Sequence, residues 1–246
     1  MNILITGGLG HIGSNLINKL ILEKYVRKIF IIDNLSTERY VSLFNIPKKK
    51  IIFLKNNIIS KEFTKKLKLS DIVIHLAAQT DATKSLEHPQ LIYKNNFKST
   101  KFVVDQVCKF KKKLIFISST SVYGPQEKDV SEKTKIINLH PQSPYARCKL
   151  KEENYIKKIF KSKQLNDKFN ILRFGTIFGY SPGMRFHTAV NKFCWQAVFN
   201  EPLTIWKTAL YQKRPYLGIN DSARAIIHIL KKDIFKNEIY NVLNFN

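Results

Sequence analysis

Residues 1–13 read MNILITGGLGHIG, and this stretch decides the fold that we expect for the chain. Its first part, Asn2 to Thr6, predicts a short buried strand. The glycines at positions 7, 10 and 13 predict a tight turn, and the apolar periodicity that starts at Ser14 predicts a helix. A glycine-rich turn between a strand and a helix N-terminus is typical of a pyrophosphate site, because the backbone can approach the anion and unpaired N–H groups face it.

A second apolar run, Lys28 to Asp33, predicts a strand that ends in an acid. The acid lies about 20 residues beyond the glycines, where a carboxylate can accept a hydrogen bond from a ribose hydroxyl. The same carboxylate would repel the 2′-phosphate of NADP, so the two features together predict a site for NAD. A glycine turn alone would be weak evidence, since many such turns bind nothing.

The composition limits the kinds of partner that we expect. The 246 residues are 44% hydrophobic, which is ordinary for a globular protein, but the formal net charge is +24. Such an excess suits nucleic acid, an anionic membrane or anionic small molecules. The lysines are scattered without a basic stripe among aromatic residues, so nucleic-acid binding is disfavoured. No apolar run reaches the length of a membrane span, and the histidines and cysteines lack metal-ligand spacing. We therefore expect a cytoplasmic protein with no metal.

Strand and helix patterns alternate as far as Arg173. Apolar runs predict further strands near residues 51–54, 71–78, 114–117 and 169–173, and helices over 96–108 and 144–160. Repeated β-α units with continuous apolar strands predict an α/β fold with a doubly wound parallel sheet of the Rossmann type. We expect an NAD-binding domain over residues 1–174 and a smaller C-terminal, substrate-binding portion over 175–246. A last strand near Tyr240 should return to the main sheet.

Tyr145 and Lys149 lie four residues apart and face the same side of a predicted helix. A tyrosine has a pKa near ~10 and is a poor base at neutral pH. A neighbouring ammonium and a bound nicotinamide cation would both lower the pKa of this phenol. Tyr145 would then take the proton of a hydroxyl group whose carbon NAD oxidises. Ser119, after the fifth strand, would hold that hydroxyl by a hydrogen bond.

Five motifs occur in a fixed order along the chain. They are G-x-x-G-x-x-G at 7–13, DNLS at 33–36, HLAA at 75–78, SSTSVYG at 118–124 and PYxxxK at 144–149. Together they resemble the extended short-chain dehydrogenase/reductase family, in its nucleotide-sugar epimerase/dehydratase branch, over almost the whole chain. The resemblance implies tightly held NAD, a Ser-Tyr-Lys catalytic set, a nucleotide-sugar substrate and homodimers formed through the two long helices.

The resemblance assigns roles to the positions that match the family's motifs. The catalytic set falls on Ser119, Tyr145 and Lys149. The cofactor-binding positions are Gly7, Gly10, His11, Ile12, Gly13, Asp33, Asn34, Ser36, Asn57, Ile58, Leu76, Ala77, Ala78, Asn96 and Ser118, together with Tyr145 and Lys149. The substrate-binding positions are Ser119, Thr120, Tyr145, Thr176, Arg185 and Arg214.

The residues after the catalytic hydroxyl bear on the type of reaction. In the sugar 4,6-dehydratases of the family an Asp-Glu pair stands there, because removing water needs an acid and a base. This chain has Thr120 and Ser121 instead, which favours a 4-epimerase acting through a transient 4-keto sugar. Epimerases of the family usually have Asn where this chain has Thr176. A dehydratase, decarboxylase or reductase of the same family remains an alternative, as does a non-catalytic binding protein on the same fold.

Overall fold

The computed structural model describes residues 1–44, 46–80, 89–126, 129–205, 207 and 213–245. Within these residues seven strands form a parallel sheet and two others form a small parallel pair. The sheet order is β3-β2-β1-β4-β5-β6-β9, and β7 pairs with β8. The strands are β1 Asn2–Thr6, β2 Lys28–Asp33, β3 Ile51–Lys55, β4 Ile72–His75, β5 Lys113–Ser119, β6 Phe169–Phe174, β7 Thr176–Phe178, β8 Tyr216–Gly218 and β9 Glu238–Val242. The predicted doubly wound sheet is confirmed.

The helices connect successive strands. They are α1 His11–Leu20, α2 Lys61–Lys68, α3 Pro89–Ile92, α4 Lys98–Lys109, α5 Pro144–Ser162, α6 Ala189–Val198 and α7 Ile219–Lys232, with a π-helical turn over Tyr93–Phe97 between α3 and α4. The start of α5 is fixed by Ser143, whose Oγ accepts a hydrogen bond from the Ala146 N–H at 3.1 Å. Pro144 in the first turn has no N–H to satisfy, so it suits this position. Tyr145 is thereby held in the first turn of α5.

The core lies on both faces of the sheet. Successive side chains of a strand point to opposite faces, and in β1 Ile3 and Ile5 enter one cluster while Leu4 enters the other. The first cluster contains apolar residues of α1 and α7, and the second contains those of α2, α4 and α5. The portion after residue 174 therefore adds strand β9 to the main sheet and contributes helix α7 to the core on one of its faces. The domain division at residue 175 stays a prediction.

Several element boundaries differ from the sequence-based expectation. Helix α1 begins at His11 rather than Ser14, because the carbonyl of Gly10 already accepts the Ser14 N–H at 2.9 Å. Strand β4 ends at His75, so residues 76–78 form a loop beyond the sheet. Strand β9 lies beside β6 as predicted, but it spans 238–242. No helix in the described part of the chain is long and apolar enough to cross a membrane.

Candidate active site

The glycine turn and the end of β2 are joined by backbone contacts. The N–H of Gly7 donates to the carbonyl of Ile32 at 2.8 Å, and the N–H of Leu9 donates to Oδ2 of Asp33 at 3.1 Å. The carboxyl ends of parallel strands meet at one edge of the sheet, where ligands of this fold bind. The predicted pyrophosphate turn and the predicted ribose acceptor therefore lie side by side.

The glycines of the turn serve different purposes. Gly7 has φ +66°, and a Cβ there would lie 2.6 Å from the Cα of Ala77. A Cβ on Gly13 would lie 2.5 Å from the carbonyl oxygen of Gly8. Gly10 has an ordinary φ of −70°, and the nearest atom to its added Cβ would be 3.4 Å away. The folded chain thus requires glycine at 7 and 13 but not at 10, where an open approach to the N-terminus of α1 suits a pyrophosphate.

We expect Gly10→Ala to weaken NAD binding about tenfold or more without unfolding the protein, because the new methyl group would occupy only the open approach. Gly13→Ala should instead lower the melting temperature, since its methyl group would collide with the chain itself. Calorimetric NAD titration and thermal unfolding of both variants measure the two effects. Wild-type NAD affinity in Gly10→Ala would contradict the placement of the pyrophosphate.

The predicted ribose and adenine residues form one group. The Asp33 carboxylate accepts a second backbone N–H, that of Leu35, on Oδ1 at 2.9 Å. Each of its oxygens can accept one further hydrogen bond. The side-chain amide of Asn34 donates to Oδ1 of Asn57 at 3.1 Å and its own Oδ1 accepts the Ser36 N–H at 3.1 Å. These residues fit the adenosine half of NAD.

Two predicted cofactor residues act on the backbone around the site. The ring of His11 is buried, with Nε2 at 2.8 Å from the carbonyl of Gly179, and burial lowers its pKa. Neutral His11 therefore donates from Nε2 to this carbonyl and joins the N-terminus of α1 to the residue that follows β7. Asn96 is also buried, and its side chain donates to the carbonyl and accepts the N–H of Gln79, both at 2.8 Å. Asn96 thus fixes the loop that follows β4.

The predicted catalytic residues lie on α5 and at the end of β5. Nζ of Lys149 lies 5.9 Å from the centre of the Tyr145 ring. Ser119 ends β5, and its Oγ accepts the N–H of Ser121 at 3.2 Å and the hydroxyl of Ser121 at 2.9 Å. The turn after Ser119 packs on α5 through Val122, which clusters with Leu150. Their catalytic roles remain predictions.

The electrostatics of Tyr145 combine opposing effects. Burial raises the pKa of the phenol, and Lys149 and Arg185 lower it, with a net rise. Lys149 thus acts in the predicted direction, but burial has the larger effect on the pKa of Tyr145. For Lys149 itself burial lowers the pKa, whereas Glu152 and Tyr145 raise it and prevail. The resting pair is therefore a neutral phenol beside a charged ammonium.

Two buried carboxylates beside the site were not predicted from the sequence. Glu153 accepts the hydroxyl of Ser118 at 2.5 Å and binds Arg173 through two nitrogens, at 3.0 and 2.6 Å. Glu152 lies 3.1 Å from Nζ of Lys149 and accepts the hydroxyl of Thr100 at 2.6 Å. Both acids lie on the buried face of α5. A carboxylate at a buried helix position indicates that another group pairs with it, because an unpaired buried charge is costly. The hydroxyl proton of Ser118 is therefore already donated to Glu153. The predicted contact of Ser118 with the cofactor would have to use its hydroxyl oxygen or its backbone.

The segment after β7 folds back over the glycine turn. The hydroxyl of Ser14 donates to Ser181 at 3.1 Å and accepts the N–H of Gly183 at 3.0 Å. Arg185 follows this contact and is near enough to influence the pKa of Tyr145. The segment therefore brings Arg185, a predicted substrate residue, toward Tyr145.

The remaining predicted substrate residues lie on neighbouring elements. Thr120 donates its hydroxyl to the carbonyl of Phe174 at 3.3 Å, and Thr176 donates its N–H to the carbonyl of Pro215 at 2.7 Å. Arg214 is exposed just before β8. No group of three His, Cys, Asp or Glu in the described ranges could hold a metal ion.

Comparison with known proteins decides the family. Residues 3–242 match the model of the NAD dependent epimerase/dehydratase family. The chain belongs to this family. It is 30% identical to an uncharacterized UDP-glucose epimerase, YtcB, of Bacillus subtilis, over 98% of this chain and 76% of that protein. It is 31% identical to a putative UDP-glucose 4-epimerase of Methanocaldococcus jannaschii, with the same two coverages, 98% and 76%.

Solved structures of the family show the same fold. UDP-glucuronic acid 4-epimerase from Bacillus cereus, a variant solved with NAD and a fluorinated sugar nucleotide, has a TM-score of 0.90 and 27% identity over 100% of this chain and 78% of its own. UDP-N-acetylglucosamine 4-epimerase from Methanobrevibacter ruminantium has a TM-score of 0.86 and 28% identity, with coverages of 98% and 76%. This epimerase/dehydratase family member is therefore an NAD-dependent enzyme, as the sequence predicted.

Proposed function

We propose that the enzyme is a nucleotide-sugar 4-epimerase that acts through a transient 4-keto sugar. The observation that carries this proposal is the chemistry at the end of β5 and in the turn that follows, where Ser119, Thr120 and Ser121 are hydroxyl residues and none is a carboxylate. The nearby carboxylates of Glu152 and Glu153 are fully buried and already paired. Elimination of water needs a further acid and base beside the sugar, in addition to the tyrosine that serves the 4-hydroxyl group, whereas epimerisation needs only the tyrosine.

The chain's own residues suffice for the proton transfers of epimerisation. When bound, NAD supplies a reversible acceptor for the hydrogen on carbon 4 of the sugar. Ser119 orients the 4-hydroxyl group, and Tyr145 takes its proton as the carbon becomes a ketone. Lys149 stabilises the resulting phenolate by its charge. After the keto sugar has turned its other face toward the site of the nicotinamide, Tyr145 returns the proton to the same oxygen.

Two arginines support a substrate that carries a diphosphate. Arg185 lies near Tyr145, and Arg214 stands exposed beside β8, so each could pair with a phosphate oxygen. The relatives named above are described as acting on UDP-linked sugars. We therefore propose that these arginines pair with the diphosphate of a nucleotide sugar whose sugar ring binds beside Tyr145.

We also propose that two copies of the chain associate through the outer sides of the α4 and α5 helices. The segment that leads into α4 adds apolar surface beside these two helices: Leu91 of α3 is 46% exposed, and Tyr93 of the π-helical turn is 44% exposed. The Lys151 ammonium on α5 lies 4.5 Å from the centre of the Tyr93 ring. An exposed aromatic and aliphatic surface of this kind suits a homodimer interface.

Product analysis tests the reaction. The protein is incubated with a panel of UDP- and dTDP-hexoses and NAD in heavy water, and the products are separated and weighed by mass spectrometry. We expect an epimer of unchanged mass without deuterium. Loss of water or carbon dioxide, or deuterium uptake beside a carbonyl, would assign one of the other reactions of the family. No product with NAD still bound would favour a non-catalytic binding protein.

A further inference from the structure

A chain of hydrogen bonds crosses the core from the end of β1 to α5. Oγ1 of Thr6 lies 2.6 Å from Nδ1 of His75, and Nε2 of His75 lies 3.0 Å from Oγ1 of Thr100. The hydroxyl of Thr100 donates to Oε1 of Glu152 at 2.6 Å. Each of these four residues is at most 2% exposed. The chain ends on a carboxylate that the predicted catalytic set does not include.

The direction of these hydrogen bonds follows from proton counting. Thr100 has one hydroxyl proton and gives it to Glu152, so its oxygen must accept the Nε2–H of His75. Nδ1 of His75 is then the acceptor for the hydroxyl of Thr6. Burial, and secondarily Lys149, lower the pKa of His75 to about 3, so the ring is neutral. In this row of hydrogen bonds, each donor therefore points toward Glu152.

The second oxygen of Glu152 faces the ammonium of Lys149. Oε2 lies 3.1 Å from Nζ, and the two side chains are 0% and 4% exposed. The same Nζ lies 4.5 Å from the centre of the Phe116 ring, in the core. A buried ammonium loses its hydration, which favours the neutral amine unless a negative group is in contact with it. Glu152 provides that group.

We propose that Glu152 is a positioning residue, which holds the ammonium of Lys149 beside Tyr145 and keeps it charged. This inference rests on the proposed function of Tyr145 and Lys149. In the part of the chain that the structure describes, the other titratable and charged groups that face this pair are Cys148 on α5, His75 on β4 and Arg185 after β7. Neutral His75 carries no charge that could act on Lys149. Glu152 is the negatively charged group that contacts Lys149 in the core.

The proposal predicts the sign of a titration. Tyr145, Lys149 and Glu152 share one buried site, so the first proton lost belongs to the group as a whole. The Glu152 charge raises the pKa of both Tyr145 and Lys149. Removing that charge makes the first proton easier to lose, whichever residue it leaves. Glu152→Gln should therefore lower the pH of the first deprotonation by about one unit or more.

Carbon-13 NMR of ζ-labelled tyrosine measures this titration in the full chain without NAD. The signal of Tyr145 is the one that is missing from Tyr145→Phe, and its first inflection should move to lower pH in Glu152→Gln. The matched control is Glu62→Gln, which removes an exposed carboxylate that also pairs with a lysine three residues away, Lys65, at 2.6 Å. The control and the charge-retaining Glu152→Asp should titrate like the wild type. An unmoved inflection in Glu152→Gln overturns the proposal.

A second variant covers the case in which Glu152→Gln does not fold. Thr100→Val leaves the carboxylate in place but removes its hydroxyl donor, so its negative charge acts more strongly on Lys149 and Tyr145. The inflection should then move to higher pH, and an unchanged or lower value overturns the proposal.

The pH profile of kcat gives a second readout if the wild type is active. The pH at which kcat rises on the acid side of the profile should be lower in Glu152→Gln than in the wild type. A wild type inactive on every nucleotide sugar would refute the proposed function alone, because the NMR titration needs no substrate.

Discussion

Replacing Tyr145 with Phe should lower kcat by roughly 10²–10⁴-fold, the usual contribution of a positioned general acid and base. The variant keeps the ring, so the packing of the first turn of α5 and the binding of NAD should persist. Steady-state turnover of the nucleotide sugar and calorimetric NAD titration measure the two quantities separately. The other hydroxyl-bearing side chains of α5 are Tyr155 and Ser162, further along the helix.

Tyr155 provides the matched control for Tyr145. It lies on the same helix, and its hydroxyl donates to Asp105 of α4 at 2.6 Å. Tyr155→Phe makes the same change as Tyr145→Phe, the loss of one phenolic hydroxyl, but at a position away from the sheet edge. We therefore expect kcat to stay near the wild-type value. Equal losses in the two variants, or retained turnover in Tyr145→Phe, would show that Tyr145 is not the acid and base.

The largest effect on stability is expected from Arg173→Met. Arg173 binds Glu153 through two nitrogens, and the two side chains are 3% and 1% exposed. Its guanidinium also lies 4.8 Å from the centre of the Tyr123 ring. Removing one partner of a buried ion pair leaves the other charge uncompensated, which costs about 3–5 kcal/mol. Urea denaturation should show this loss in the free energy of unfolding.

Arg224→Met is the surface counterpart of Arg173→Met. Arg224 pairs with Asp221 at 2.7 Å, but its side chain is 78% exposed. Exposed pairs contribute roughly 0–1 kcal/mol, because water and salt screen the charges. A loss in Arg173→Met no larger than the loss in Arg224→Met would mean that the buried pair does not stabilise the junction of β5, β6 and α5.

Much of the fold could be predicted from local patterns. Strands β1 and β2 are continuous apolar runs with clear ends, and their bounds matched the expectation at every residue. The start of α1 could not be read in the same way. Residues 11–13 contain His and Gly, which carry no helical periodicity, and only the hydrogen bond to Gly10 shows that they belong to the helix.

The buried carboxylates of α5 show why part of the site was missed. A run of Lys and Glu, KLKEE at 149–153, is typical of a solvated helix face. Periodicity places Glu152 and Glu153 on the core side, but it cannot name their partners. Thr100 lies 52 residues from Glu152 and Arg173 lies 20 residues from Glu153. Only the packing of α4 and β6 against α5 brings these groups together.

The measurement that tests the proposed reaction most directly uses UDP-glucose with deuterium on carbon 4. Epimerisation removes this hydrogen and returns it to the same carbon, so the account predicts a product epimer of unchanged mass with all its deuterium on carbon 4. Nuclear magnetic resonance of the product locates the label. Deuterium on carbon 6 with loss of water, or deuterium lost to the solvent, would contradict 4-epimerisation and assign a different reaction to Tyr145 and Lys149.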